Sequence, residues 1–218
     1  MILQATNVHK FYGPLHVIKG VNLSIEKNEI VSIVGKSGAG KTTLLHILGT
    51  LDNPDEGKVT FKNKDISFQN PRILASIRNE SMGFIFQFHH LLSEFTALEN
   101  TMIPALIGRK SESEAKEKAE DLLKYLGLSE RLHHKPSQLS GGEQQRVAVA
   151  RSLINDPEIV FADEPSGNLD TSTSEELHNL IFKLRKDRDQ TFIIVTHNPI
   201  LSDMSDRTLK MEDGLFVN

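Results

Sequence analysis

The feature that most constrains this chain is a glycine-rich loop between a short apolar run and a helical pattern. Gly35-Lys-Ser-Gly-Ala-Gly-Lys41-Thr42 follows the β-branched run Ile30–Val34 and precedes a predicted helix from Thr42 through Leu48. This is the Walker A pattern, whose glycines let successive backbone N–H groups surround a phosphate at a helix N-terminus. The pattern predicts an α/β fold with a nucleotide-phosphate site, whose candidate residues are Gly35, Lys36, Ser37, Gly38, Ala39, Gly40, Lys41, Thr42 and Thr43.

Two other apolar runs end in residues with chemistry that suits such a site. The run Ile159–Phe161 leads to Asp163 and Glu164, and the run Phe192–Thr196 is followed by His197. Both runs have the composition of buried parallel strands. Because ligands of open α/β sheets bind at the carboxyl ends of strands, we expect all three segments to meet at one crevice.

The residue types at this crevice predict nucleotide hydrolysis. Lys41 is expected to reach the β- and γ-phosphates, and Thr42 to place its hydroxyl on Mg²⁺. Asp163 is predicted as a second ligand of that ion, acting through water, because magnesium dehydrates reluctantly. Glu164 is the candidate base for the attacking water. An apolar strand ending in Asp-Glu is common, so this interpretation depends on the glycine loop upstream.

A second glycine-rich segment, Leu139-Ser-Gly-Gly-Glu143, begins another predicted helix. Ser140 and Glu143 have the spacing of a capping box, and Gly141 and Gly142 let backbone approach a ligand closely. Alone, the segment is typical of an ordinary capped helix. Because Lys41 already serves the phosphates of its own chain, the positive end of this helix is needed on the opposite face of the nucleotide. The three motifs together therefore predict ATP bound between two copies of the chain.

The rest of the pattern predicts one domain over residues 1–218. A capping box at Ser111 and a stop at Gly127 bound one helix, and with the helix at Ser140 they indicate a helical subdomain at about 88–155. A hairpin is expected around Asp213-Gly214. Short alternating runs predict a small antiparallel β layer from Leu3–Asn7, Val21–Ile25 and Lys58–Phe61.

Charge and composition limit the possible partners. The net charge is −4, so no global basic field favours nucleic acid or anionic lipid. No apolar run is long enough to span a bilayer, and the N-terminus lacks the pattern of a signal peptide. The sequence has no cysteine, which suits a reducing cytoplasm. We therefore expect a cytoplasmic protein that contacts a membrane only through a partner.

The segment Leu139-Ser-Gly-Gly-Glu-Gln-Gln-Arg146, lying between the other two motifs, resembles the signature of ATP-binding cassette (ABC) ATPases. The resemblance implies a P-loop NTPase cassette that uses ATP and Mg²⁺. It also implies a Q-loop role for Gln87, which would sense the metal and water and touch a membrane partner. His197 would be the switch histidine at the γ-phosphate, and Asp170 would belong to the D-loop that crosses to the other subunit.

The same resemblance places an adenine-stacking aromatic residue near the N-terminus. Tyr12, in Lys10-Phe-Tyr-Gly13, occupies the position where the family has that residue. Stacking suits any aromatic face, so Phe11 is a competing candidate. A role in the core is an equal alternative for either residue.

Three longer stretches resemble one group within the family, which includes the lipoprotein-releasing, MacB-like and FtsE-like ATPases. They are Gly40–Asp52, Gly83–Asn100 and Glu164–Asp170. The resemblance implies the ATP-hydrolysing subunit of a bacterial transporter, peripheral on the cytoplasmic face of the inner membrane. It would power a separate permease that releases lipoproteins. The alternatives are an FtsE-like regulatory ATPase and a MacB-like export ATPase, each with a different membrane partner.

Other functions are less favoured. Cassettes of DNA repair usually carry long coiled coils and those of translation usually occur in pairs, and this chain has neither feature. A binding-only sensor is disfavoured because Glu164 and His197 are both present. The pairs His89-His90 and His133-His134 have no carboxylate or cysteine partner at a fixed spacing, so no second metal site is predicted. The pair at 89–90 is expected on the surface that meets a membrane partner.

Overall fold

Two β-sheets and the helices packed on them make up the fold. In this computed structural model residues 1–217 are described, and they form ten β-strands and seven α-helices. Asn218, the last residue of the predicted domain, lies outside the described residues. The strands are β1 (Leu3–Tyr12), β2 (Leu15–Ile25), β3 (Ile30–Val34), β4 (Glu56–Phe61), β5 (Lys64–Asp65), β6 (Met82–Phe86), β7 (Ile159–Asp163), β8 (Thr191–Val195), β9 (Arg207–Glu212) and β10 (Leu215–Val217). The helices are α1 (Lys41–Leu48), α2 (Pro71–Ser81), α3 (Ala97–Ile107), α4 (Glu112–Tyr125), α5 (Gly141–Leu153), α6 (Thr171–Arg188) and α7 (Pro199–Met204).

The larger sheet has six strands in the order β10-β9-β3-β8-β7-β6, and all its neighbours are parallel except β10 and β9. The predicted parallel strands β3, β7 and β8 are confirmed. The hairpin around Asp213-Gly214 is also present as β9–β10. The sequence predicted β9 only as one arm of this hairpin, because its polar and apolar residues alternate, and it did not predict β6, which contains Gly83.

Side-chain alternation along β7 shows why the central strands are apolar on both faces. Ile159 and Phe161 lie in one hydrophobic cluster, with α1 and the smaller sheet. Val160 and Ala162 lie in the other cluster, among α3, α4, α5 and α6. A parallel strand covered on both faces has no polar side, so the whole run is hydrophobic.

The smaller sheet is antiparallel, with strand order β2-β1-β4-β5, which confirms the predicted β layer. Its strands are longer than the sequence pattern indicated. β1 continues beyond Asn7 to Tyr12, through register shifts against β2 and β4. This extension carries Tyr12 to the edge of the cleft that is described below.

Helices α3, α4 and α5 lie between residues 97 and 153, within the range predicted for a helical subdomain. The capping boxes at Ser111 and Ser140 are both formed, and a third one, from Thr96, begins α3. Gly127, predicted to end this helix, follows α4 with a φ of +75°, the left-handed conformation that commonly ends a helix. The subdomain boundary itself stays a prediction.

Candidate functional site

The glycine loop turns sharply between β3 and α1. Gly40 adopts a φ of +100° at the start of α1, and a Cβ there would lie 2.9 Å from the side chain of Ile18. Lys41 lies across the loop, and its ammonium donates to the carbonyl oxygens of Gly35 at 2.8 Å and Lys36 at 3.0 Å. The loop is therefore a preformed cradle with an ammonium group held beside it.

The predicted Mg²⁺ ligands Thr42 and Asp163 meet across the cradle. The Thr42 hydroxyl, in the first turn of α1, donates at 3.1 Å to Oδ1 of Asp163, at the end of β7. Burial raises the pKa of Asp163 above its ordinary range, an effect that the Thr42 hydrogen bond partly opposes. A partly buried carboxylate beside a hydroxyl is a hard oxygen donor set, which fits a divalent cation such as Mg²⁺.

The register of the parallel strands brings the remaining predicted catalytic residues to the same edge. Asp163 at the end of β7 pairs with Phe86 of β6 on one side and with Val195 of β8 on the other. Gln87 follows Phe86 directly, and His197 lies two residues after Val195. The crevice expected from the sequence is thus built by four adjacent strands: β3, β8, β7 and β6.

Glu164 is held in an unusual backbone conformation and bonded to the predicted switch histidine. Its φ is +46°, a region that a non-glycine residue rarely adopts and that recurs at functional sites. Its carboxylate oxygen Oε2 lies 2.8 Å from His197 Nδ1 and accepts the His197 backbone N–H at 3.3 Å. The His197 side chain is 71% exposed, so it borders the open side of the cleft.

Gln87 bonds to the segment after Glu164 rather than to the Thr42–Asp163 pair. Its side-chain amide donates to Asn168 Oδ1 at 2.9 Å, and the Asn168 amide donates to the Gln87 carbonyl at 3.1 Å. This reciprocal pair links the predicted Q-loop and D-loop. The role predicted for Gln87 at the metal stays a prediction.

These residues surround one cleft of about 570 Å³, a suitable size for a nucleotide. Val17 and Val195, two apolar residues that no motif indicated, also line the cleft. Lys36 and Ala39 belong to the outer side of the loop, near Asp213. The predicted residues that line the cleft are Tyr12, Gly35, Ser37, Gly38, Gly40, Lys41, Thr42, Thr43, Gln87, Glu164 and His197.

The structure favours Tyr12 over Phe11 as the aromatic residue of this cleft. The Phe11 ring stacks on His16 with 4.0 Å between ring centroids, so one of its faces is already covered. Tyr12 lines the cleft and is 50% exposed. Tyr12 therefore has a free surface at the place where a base would lie.

The Ser-Gly-Gly segment does not line the cleft of its own chain. Ser140 and Gly141 are exposed, whereas Gly142 is buried. The Ser140 hydroxyl accepts the Glu143 backbone N–H at 3.2 Å, and the Glu143 carboxylate lies beside it in the capping box. The start of α5 is therefore an exposed helix N-terminus that carries a hydroxyl group.

Asp170 also lies outside the cleft, where it begins α6. Its carboxylate accepts the backbone N–H of Thr173 at 3.0 Å and the hydroxyls of Thr173 and Ser172, each at 2.7 Å. These hydrogen bonds, the Thr173 backbone bond foremost, lower the pKa of Asp170 far below its usual range. Asp170 acts as a helix cap in this structure, and its predicted contact with a nucleotide stays a prediction.

This arrangement of fold and site is that of the ABC transporter family, whose model matches residues 18–167. The chain belongs to this family, and it is an ATP-binding, ATP-hydrolysing cassette. Among curated relatives, it is 60% identical over 216 residues to the "Lipoprotein-releasing system ATP-binding protein LolD" of Cytophaga hutchinsonii, which covers 99% of both chains. It is 59% identical over 218 residues to the protein of the same name in Porphyromonas gingivalis, over 100% of both chains.

Solved structures agree with the family assignment. The ATP-binding cassette MJ0796, in a dimeric post-hydrolysis state bound to ADP and Pi, superposes with a TM-score of 0.91 at 39% identity, covering 100% of this chain and 97% of that one. The cbiO1 protein from Clostridium perfringens, part of the transporter complex cbiONQ, superposes with a TM-score of 0.89 at 27% identity, covering 100% and 87%.

Proposed function

We propose that this chain is the ATPase subunit of a bacterial lipoprotein-releasing transporter. It works as a head-to-tail homodimer on the cytoplasmic face of the inner membrane and drives a separate permease. The observation that carries this assignment is the 60% identity with the LolD protein of Cytophaga hutchinsonii, which extends over 99% of both chains. The geometry of the cleft supports the ATPase chemistry independently.

Several residues in and beside the cleft have a role in the proposed reaction. The backbone N–H groups of the glycine loop and Lys41 bind the triphosphate, and Thr42 and Asp163 would hold Mg²⁺. The ion would offset the negative charge of the phosphates. Glu164 accepts the proton of the attacking water, and His197, bonded to Glu164, orients that carboxylate and faces the γ-phosphate.

The second copy of the chain completes the site. Ser140 and Gly141 are exposed and do not line their own cleft, although a helix N-terminus with a hydroxyl group is a suitable ligand for a γ-phosphate. In a head-to-tail dimer this helix start would lie against the partner's nucleotide. The similar cassette MJ0796 is dimeric and bound to ADP and Pi, which supports a dimeric assembly.

A substitution at Ser140 tests the shared site. Ser140→Arg places a large side chain where the partner's γ-phosphate binds, so ATP binding to single chains is retained and turnover is lost. Glu143→Ala is a control that weakens the same helix cap without filling the site. Normal turnover of Ser140→Arg would exclude a shared site.

A groove beside the Q-loop is a suitable place for the permease. Phe84, Phe86, Pro104 and Ile107 are among the side chains that line this cavity of about 380 Å³. Arg151 lines it too, and its guanidinium donates to the carbonyl oxygens of His89 and His90, both at 2.7 Å. Movement of the segment that follows Gln87 would therefore reach the groove directly. Of residues 1–217, none lies in a helix long and apolar enough to cross a bilayer, so the membrane component is assigned to the partner.

The experiment that tests the proposed function is capture of the closed, ATP-bound complex from its native membrane. Glu164→Gln with ATP is expected to retain a permease with a large extracytoplasmic domain and bound lipoprotein. Lys41→Ala, which lacks the phosphate ligand, is the control and should release its nucleotide. Recovery of a cell-division adaptor, or of an export permease without lipoprotein, would support the FtsE-like or MacB-like alternative.

A further inference from the structure

A carboxylate outside the phosphate loop holds the side chain that we assign to the adenine base. The Tyr12 hydroxyl donates to Asp52 Oδ2 at 2.7 Å, and the Lys10 ammonium donates to Asp52 Oδ1 at 2.9 Å. Lys10 is only 8% exposed, and it also donates to the carbonyl of Asn53 at 2.7 Å. Because these bonds involve charged groups and are anchored by the buried Lys10 ammonium, they hold the phenol in one position.

Asp52 is itself fixed to the helix that follows the phosphate loop. Its backbone N–H donates to the carbonyl of His46, in the last turn of α1, at 3.2 Å. Its carboxylate also accepts the N–H of Asn53 at 2.7 Å. The start of α1 carries the phosphate ligands Lys41 and Thr42. One short helix thus connects the phosphate cradle with the acceptor of the Tyr12 hydroxyl.

The charges of this cluster keep the arrangement intact at neutral pH. Burial acts to raise the pKa of Asp52, but the hydrogen bonds from Lys10 and Tyr12 outweigh it and leave that pKa below its usual value. The carboxylate is therefore ionised and accepts both donors. The Lys10 ammonium lies over the Tyr12 ring, 5.4 Å from its centroid, which leaves the opposite face of the ring for a base.

We propose that Asp52 and Lys10 are positioning residues for base recognition, which fix the Tyr12 ring before the nucleotide arrives and so set the affinity for adenine. The proposal rests on the proposed function, since it takes Tyr12 as the stacking surface. A ring that is already held in place loses less conformational freedom when the base binds. Neither Asp52 nor Lys10 lines the cleft, so they should affect binding of the base and not binding of the triphosphate.

The test compares two probes that differ only by the nucleoside: Mg-ATP and magnesium tripolyphosphate. Calorimetry on the full chain measures the Kd of both for Tyr12→Phe, Asp52→Ala and the double variant. We expect each single variant to weaken ATP binding about three- to tenfold, around the lower end of what base–aromatic stacking contributes. Tripolyphosphate binding should be unchanged. The double variant should be no weaker than the weaker single variant, because both changes remove the same hydrogen bond.

Additive losses in the double variant, or equal losses for ATP and tripolyphosphate, would overturn the proposal. Asp52→Asn is the conservative control: it keeps an oxygen for the Tyr12 hydroxyl and should restore most of the ATP affinity. Asp52→Ala leaves Lys10 with weaker partners and can reduce stability. If Asp52→Ala fails to fold, Tyr12→Phe and Asp52→Asn still test the positioning role. Tyr12→Phe should fold, because the half-exposed Tyr12 ring adds little to the core.

Tyr12→Ala separates failure of this proposal from failure of the proposed site. An unchanged ATP affinity in Tyr12→Ala would show that Tyr12 is not the adenine surface, which overturns both. A loss on the order of tenfold in Tyr12→Ala, with no loss in Tyr12→Phe or Asp52→Ala, would leave the adenine site in place and reject the positioning role alone.

Discussion

Replacing Glu164 by glutamine isolates the proposed base from the structure that supports it. The two hydrogen bonds from His197 reach the same carboxylate oxygen, Oε2, from Nδ1 at 2.8 Å and from the backbone N–H at 3.3 Å. A glutamine carbonyl oxygen can accept both bonds. The free energy of unfolding should therefore change by no more than about 1 kcal/mol, the net value of a typical hydrogen bond. What the variant loses is the ability to accept a proton from water.

The size of the catalytic loss follows from that single change. General-base catalysis contributes about 10²- to 10⁴-fold to a rate, or about 3–5 kcal/mol of transition-state stabilisation. We expect kcat for ATP hydrolysis to fall by this factor while the affinity for ATP is retained. Since the nucleotide is bound but not consumed, closed dimers should accumulate when ATP is added.

Two measurements check this prediction. Phosphate release under single-turnover conditions gives the chemical rate, and size-exclusion chromatography with ATP gives the fraction of dimer. Glu120→Gln, on the exposed side of α4, is the matched control and should behave as the unaltered chain. A hydrolysis rate of Glu164→Gln within about threefold of that control would exclude Glu164 as the general base. Loss of ATP binding would instead show that Glu164 contributes to the affinity for the nucleotide.

Three further predictions concern the fold that supports the site. Phe161→Ala should lower the free energy of unfolding by about 3–5 kcal/mol in urea denaturation, because this side chain is fully buried in the central strand β7. Gly57→Ala should cost more than about 2 kcal/mol, since a Cβ there would lie 2.1 Å from a backbone oxygen of β1 at a φ of +87°. Gly127→Ala, with a φ of +75° and nothing within 4 Å, is its control and should cost only about 1 kcal/mol. The pKa of Glu143 is lowered to about 2, first by the hydrogen bond from the Ser140 backbone N–H and then by that from Arg131. The stabilising effect of Glu143 is therefore complete above the ordinary glutamate pKa of about 4.5 and is lost as the pH falls towards 2. Thermal unfolding of Glu143→Gln should accordingly depend less on pH in this interval.

Each of these predictions has an outcome that would contradict it. A loss below about 1 kcal/mol for Phe161→Ala would mean that the core closes around the cavity. Equal costs for Gly57→Ala and Gly127→Ala would show that the contact with β1 relaxes freely. An unchanged slope of stability against pH in Glu143→Gln would show that other carboxylates govern acid unfolding.

The features that the sequence predicted well are local ones. The capping boxes at Ser111 and Ser140 and the turn at Asp213-Gly214 each depend on conformations within a few residues, so a short pattern specifies them. The glycine loop at Gly35 is of the same kind. Apolar runs such as Ile159–Phe161 revealed the central strands, because two covered faces leave no polar alternation. The strand β6 gave no such signal because it contains a glycine, and β9 was predicted only through its hairpin turn.

The sequence by itself therefore determined the nucleotide-binding class of the protein and predicted most of the residues that line the cleft, since each motif carries its chemistry within a short segment. Only the tertiary structure decided which side chains meet. The packing of α1 beside β7 and the pairing of β6 with β7 bring Thr42 to Asp163 and Gln87 to Asn168, contacts that span 121 and 81 residues. The tertiary structure also distinguished Tyr12 from Phe11, because stacking on His16 and bonding to Asp52 depend on β1, β2 and the end of α1 together. Such pairings follow from how elements pack, which a short sequence pattern does not specify.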